Sequence, residues 1–148
     1  MDFRSQIQNQ VFGVRATALI VQDGKLFLAK RGETYRTIGG AVEVNETTEK
    51  ALVREVREEL GVEVAVSQLA FVVENWFTVG ETNFHNIEFH YLAHPLGDLP
   101  EVMVEGGKTR SCEWVSIENL ENLDIRPDFL KRELKGWDGQ IKHIINKI

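Results

Sequence analysis

Residues 40–62 read GAVEVNETTEKALVREVREELGV, and the periodicity inside this stretch decides how the rest of the chain is read. Thr47 is placed to cap a helix, and Glu49 falls in its first turn, where the helix dipole favours an acid. Gly61 stands where a left-handed C-terminal cap belongs. Between them Leu52, Val53, Val56 and Leu60 recur at the spacing of a core-facing stripe. At ~100° per residue, with Leu52 at zero, Val56, Leu60 and Val53 fall at roughly 40°, 80° and 100°. Glu59, Glu55 and Glu58 fall at about 340°, 300° and 240°. Three carboxylates therefore share one face beside the apolar stripe, with Arg54 at their far edge.

Like charges three and four residues apart on a helix repel. Protonation relieves such a cluster, because neighbouring carboxylates raise each other's pKa. A divalent cation relieves it too, since hard cations take oxygen ligands and leave room for phosphate and water. A solvated acidic face is the ordinary explanation of E-x-x-E-E on a surface helix. Here the acids adjoin the buried stripe, and the helix follows closely on Gly39-Gly40, whose carbonyls can approach the same cation.

Working outward, Val14 to Val21 and Lys25 to Ala29 read as two strands joined at Asp23-Gly24, a hairpin. Lys30 to Thr37 reads as a loop and Ala41 to Glu43 as a short strand. After the helix, Val62 to Val66, Leu69 to Phe77 and Asn86 to Ala93 are strand-like, with a turn at Gly80. Pro95 to Pro100 is a connector, and Glu105 to Arg110 reads as a mobile surface loop. Cys112 to Val115 is a further strand. Pro127 to Leu134 reads as a second helix, and Ile141 to Ile148 as an extension of the helical content. Strands, helix, strands, helix imply α+β, with a mixed sheet covered by helices.

The chain has 148 residues and a net charge of −6. That length suits one domain over residues 1–148. The acidic balance argues against a broad nucleic-acid surface, and no apolar run is long enough for a membrane. The polar start, Met1 to Gln10, lacks a signal-peptide core, so a cytoplasmic location is expected. Cys112 is the only cysteine and reads as a small buried hydrophobe. His85, His90, His94 and His143 show no close-spaced metal pattern.

The stretch from Gly40 to Val62 resembles a complete Nudix box, G-x5-E-x7-R-E-U-x-E-E-x-G-U with U a bulky aliphatic. Gly40, Glu46, Arg54, Glu55, Glu58, Glu59 and Gly61 fill its fixed positions, with Val56 and Val62 as the aliphatics. Seven such identities arise by chance on the order of 10⁻⁸ per start point at ~7% usage per residue type. The resemblance implies a Nudix-type α/β/α sandwich with a loop-helix-loop at its centre. It also implies hydrolysis, dependent on Mg²⁺ or Mn²⁺, of a phosphoanhydride in a nucleoside diphosphate linked to another group. On this chain it makes Glu55, Glu58 and Glu59 metal ligands, with Glu55 a ligand or the base, and Gly39 or Gly40 the source of a carbonyl. Arg54 would pair with Glu46 or Glu55 and hold the loop on the helix. Glu105 and Glu88 are candidates for a further acid, although each by itself reads as a solvated surface acid. Arg31, like Lys30 beside it, is a candidate to meet phosphate oxygens and reads equally as a plain surface charge; Gly39 is a candidate for close approach of substrate to the backbone. Two positions depart from the pattern: Thr37-Ile38 replaces a common Leu-Pro, and Asn45 replaces a glycine.

Family members commonly form homodimers, and no segment here marks an interface. Markers of particular substrates are absent outside the box. Trp76, Phe77, Phe84, Phe89, Tyr91 and Trp114 are available to stack on a base, though core packing explains most of them. Two other classes stay open: a sensor of the same fold that binds a nucleotide metabolite without cutting it, and an interaction scaffold with an acidic helix.

Overall fold

The computed structural model describes residues 1–147. The expected helix is α1, Thr48–Leu60. Thr47 caps it by accepting a hydrogen bond from the Lys50 amide at 3.1 Å, and Gly61 ends it at φ 72°. Ala51, Leu52, Val56 and Leu60 are its buried residues, which places the acids at the flank of the core.

The organising strand is β2, Gln10–Gln22, preceded by β1, Arg4–Ile7. The Asp23-Gly24 turn leads into β3, Lys25–Arg31. Two short strands follow: β4, Thr34–Arg36, and β5, Ile38–Ala41. Beyond α1 come β6, Val64–Val79, and β7, Thr82–Pro95, paired antiparallel about Gly80. Then come β8, Val102–Glu105, and β9, Lys108–Ser116. A 3₁₀ turn, Ile117–Asn122, leads to β10, Asp124–Arg126, a one-turn helix α2, Leu130–Glu133, and β11, Lys142–Lys147.

One side of β2 pairs in parallel with β7 from Gln10 to Ile20. The other side is shared in succession by β1, β5 and β3. β3 then carries a second group of strands, β4 and β9, with β8 and β10 at its margins. Where β3 gives way to β5 the two groups part. Alternation along β2 assigns its two faces. Ala16, Ala18 and Ile20 pack with Leu52, Val56 and Leu60 of α1. On the other face Leu19 packs with Phe71, Phe129, Leu130 and Ile144. The mixed sheet with helices is the α+β arrangement expected.

Five segments differ from expectation. Thr34–Arg36 is a strand, because it lies between β3 and β10 and finds partners on both. The first short strand after it is Ile38–Ala41, earlier than expected, because Gly39 and Gly40 lie flat against Thr17 and Ala16. Residues Glu105 to Arg110 form a β8–β9 hairpin, with Gly106 at φ 56° and Gly107 at φ 77° supplying the left-handed turn. The tail is a strand: its inward residues, Ile144 and Asn146, alternate with exposed ones, and it pairs in parallel with β6. The second helix is confined to Leu130–Glu133.

Candidate active site

Arg54 is the hub of the loop-helix junction. Its guanidinium donates to both oxygens of Glu46 at 2.8 and 2.9 Å, to Glu55 at 2.9 Å and to Glu58 at 3.3 Å. It also donates to the Ala41 carbonyl at 3.1 Å. The planar fork serves Glu46 bidentately, as a lysine would not. Hydrogen bonding to Arg54 holds Glu46 below the usual carboxylate range, and Glu46 in turn accepts the Glu43 amide at 2.9 Å. Arg54 therefore ties loop, strand and helix together, the structural part expected of it. Asn45, where the pattern has glycine, stands at φ 72°; asparagine tolerates that region better than other side chains.

Gly40 owes its identity to Glu55. A Cβ built there would lie 2.5 and 2.6 Å from the two carboxylate oxygens, so the acid occupies the space a side chain would take. Gly39 answers a different demand: a Cβ there would overlap the Ala16 carbonyl and approach the Thr17 Cα to 2.9 Å. Gly39 is not among the residues lining the cavity described below.

The three acids of the helix face do not share one environment. Glu58 is 58% exposed and turned to Arg54. Glu55 is largely buried, and burial raises its pKa despite Arg54. Glu59 lies beneath the β8–β9 hairpin, where burial first, then the charges of Glu55 and Glu105, push it up to about 8. Its Oε2 is buried with no partner among the described residues. Cys112, buried as expected, is raised to about 11 by burial and by Glu59. No three acids, histidines or cysteines among the described residues stand close enough together to hold a metal ion. Glu58 is the outermost of the three acids, and Arg54 bonds both it and Glu55.

Next to this acid face a cavity of about 540 Å³ opens where the two strand groups part, a volume typical of small-ligand sites. Arg4, Arg15, Arg31, Arg36 and Arg126 line it, with Glu88, Glu105 and Asp128. Glu105, at the end of β8, pairs with Arg31. Arg15 lies within electrostatic reach of Glu55 and Glu59 on one side and Glu88 on the other. Arg36 is held below its usual value by loss of water and then by the charge of Arg31. Positive charge thus exceeds what the cavity's own acids balance, a condition suited to an anion.

Glu88 overturns the surface reading of that position. It is 4% exposed, beside the fully buried His90. Its Oε1 meets His90 Nε2 at 2.9 Å, and its Oε2 accepts from Asn75 at 3.0 Å. Burial raises its pKa, but the bond and charge of His90, with Arg15 and Asn75, bring it below the usual value. The alternation of polar residues Asn86, Glu88 and His90 was the available signal for an inward polar row.

The NUDIX domain family matches residues 11–135. The chain belongs to this family. Among its Nudix relatives, a MutT-like protein of Streptomyces ambofaciens is 37% identical over 131 residues, 87% of this chain and 79% of that protein. The CTP pyrophosphohydrolase of Escherichia coli is 44% identical over 57 residues, 34% of this chain and 42% of that enzyme. The MutT protein of Bacillus halodurans has the same fold, with a TM-score of 0.68 over 88% of each chain at 15% identity. The chain spans 42%, 32% and 29% of the length of the first three curated relatives it matches. No helix among the described residues is long and apolar enough to cross a membrane.

Proposed function

We propose that this Nudix domain is a divalent-metal-dependent pyrophosphohydrolase that cleaves a phosphoanhydride in a nucleoside diphosphate linked to another group. The observation that carries the reading is the adjacency of an acid face with an unpartnered Glu59 oxygen to a cavity lined by five arginines. The acid face suits a cation and the arginine cavity an anion, so a metal ion and a diphosphate fit side by side.

The donor set suits Mg²⁺ or Mn²⁺: carboxylate oxygens, one of them buried and unpaired, beside a glycine that leaves Glu55 room. Glu55 and Glu59 would hold the ion, joined by Glu58 once it turns from Arg54, with a Gly40 carbonyl as a further oxygen donor. When bound, it would neutralise the diphosphate and lower the pKa of water. Arg15 and Arg36 bind phosphate oxygens from the cavity side, and Arg31, steadied by Glu105, does so at the rim. Glu105 is the acid supplied from outside the box. Arg54 positions Glu55 without touching substrate. In the overall change, water's oxygen joins one phosphorus, and the bridging oxygen leaves on the other phosphate.

The test is a panel of nucleoside triphosphates, ADP-ribose, nucleotide sugars and dinucleoside polyphosphates, with Mg²⁺ or Mn²⁺ and chromatographic resolution of products. The expected result is cleavage of one class that stops with chelator. Metal binding seen by thermal shift, without cleavage across the panel, would replace the enzyme with a sensor of the same fold.

A further inference from the structure

Two pieces of the chain outside the family match reach into the cavity. The match covers residues 11–135, yet Phe3 and Arg4 line the cavity at one end of the chain and Asn146 at the other. Strand register shows how they meet. Asn146 of β11 lies opposite Asn75 of β6, Asn75 opposite Asn86 of β7, Asn86 opposite Gly13 of β2, and Gly13 opposite Arg4 of β1. One transverse row thus crosses five strands and carries three asparagines side by side. These are 5%, 7% and 7% exposed for Asn75, Asn86 and Asn146.

The rows on either side are chemically distinct. Two positions outward, Phe77 and Phe84 lie opposite each other, with rings 4.8 Å apart and nearly parallel. Two positions inward, Glu88 lies opposite Arg15, which borders the acid face. Along the cavity the order is therefore aromatic, amide, charged.

Hydrogen bonding fixes how the amides point. A carboxylate only accepts, so Asn75 must turn its nitrogen to Glu88, at 3.0 Å. Its oxygen is left for Asn146, whose nitrogen donates at 2.9 Å. The Asn146 oxygen is thereby turned away from Asn75, and Asn86 makes no side-chain hydrogen bond to another described residue. Asn86 and Asn146 both line the cavity, so their free amide atoms are open to a ligand there.

We propose that β11, outside the family match, is a specificity element: Asn146, held by Asn75, acts with Asn86 to read the donor–acceptor edge of a nucleobase. The inference rests on the hydrolase reading for its ligand class. A nucleobase suits the three rows: its face meets Phe77 or Phe84, its edge meets the amides, and its phosphates lie toward Arg15. An amide side chain offers a donor and an acceptor at adjacent atoms, the pattern that pairs with a base edge.

The experiment is binding of the four common nucleoside 5′-monophosphates to the metal-free 148-residue chain, by calorimetry and by the side-chain amide signals of ¹⁵N-labelled protein. The expected result is a preference of tenfold or more for one or two bases, with the Asn86 and Asn146 amide signals shifted. Asn146→Leu should bring the four affinities close to parity. Asn86→Ser, which leaves the Asn75–Asn146 bond in place, gives the same reading should Asn146→Leu not fold. Equal binding of all four bases, no binding, or a preference that survives both variants overturns the proposal. The substrate panel separates this from the parent reading. Metal-dependent cleavage with unchanged substrate ranking in Asn146→Leu removes only the specificity role. A base preference lost in the variant, without cleavage by either protein, removes only the hydrolase.

Discussion

The acid face of α1 and the polar floor formed by β6, β7 and β11 are both carboxylate sites, and they are finished differently. On the floor, both oxygens of Glu88 have donors, from His90 and Asn75, and its pKa lies below the ordinary range. On the helix, the Glu59 Oε2 has none, and its pKa is pushed up to about 8. Both groups are shielded from water, so burial alone does not set them apart; partners do. A satisfied buried carboxylate orients its neighbours, whereas an unsatisfied one stores a preference for a cation. The difference separates a surface that holds a ligand's shape from one that holds charge.

The sharpest way to break this comparison is Glu59→Gln. On the proposed reading it removes an oxygen donor to the metal, and turnover should fall on the order of 10²–10³-fold, the scale of losing one electrostatic contact at a reacting centre. Stability of the metal-free protein should move the other way. The folded-state pKa of Glu59 is raised from 4.5 to about 8, so the folded protein holds a proton the unfolded chain has lost. Ionised Glu59 therefore lowers stability progressively as pH rises from about 4.5 to 8, with the full penalty above. In chelator, Glu59→Gln should melt higher than the parent at pH 9, and the gap should close at pH 5. A variant that melts lower at pH 9, or turns over normally, would show that Glu59 is no different in kind from Glu88.

Glu88→Gln tests the other side. The amide keeps the volume but can accept through one atom only, so either Asn75 or His90 loses its acceptor in a buried place. A loss of about 1–3 kcal/mol in urea unfolding is expected. The pH signature is opposite in sign to that of Glu59. A depressed pKa adds stability that is complete above the unfolded value and disappears as pH falls through the folded one. With the reference at 4.5, the parent's advantage over Glu88→Gln should hold at pH 6–7 and shrink below pH 4.5. Advantage independent of pH would mean that Glu88 contributes by packing alone.

How far each region could be read from sequence follows the same division. The helix of the acid face is local: cap, stripe, acids and terminal glycine all lie within residues 47–61, and spacing alone places them. Its partners are also local, since Glu46 and Arg54 are eight residues apart. The floor is assembled from distant chain segments. Asn75 and Asn146 are 71 residues apart, and only strand register brings them together. The tail reads as helical from sequence, where KHIINKI has few positions to reveal a period. Its pairing with β6 decided the outcome, as tertiary partners commonly do for strands. Glu88, a candidate acid, also reads as a surface residue for a related reason: an acid on an alternating strand reads as outward-facing unless an inward polar layer is known to await it. The repulsion among the helix acids was legible, but not that Arg54 bonds both Glu55 and Glu58.

The smallest expected effect concerns the loop that joins the two regions. Asn45 stands at φ 72°, where asparagine is tolerated and glycine is at ease. Asn45→Gly relieves the strain of the left-handed conformation while giving the unfolded chain more freedom to lose. The two contributions oppose each other, so unfolding free energy should change by only a few tenths of a kcal/mol, and turnover should stay near that of the parent. Asn45→Val places a β-branched side chain in the same conformation and should cost about 1–2 kcal/mol. The contrast is informative because neither variant touches a carboxylate. If Asn45→Gly lowers turnover tenfold or more with stability unchanged, the asparagine side chain acts on the acid face directly. Indifference to glycine with sensitivity to valine places the requirement in the backbone that carries Glu46 to Arg54.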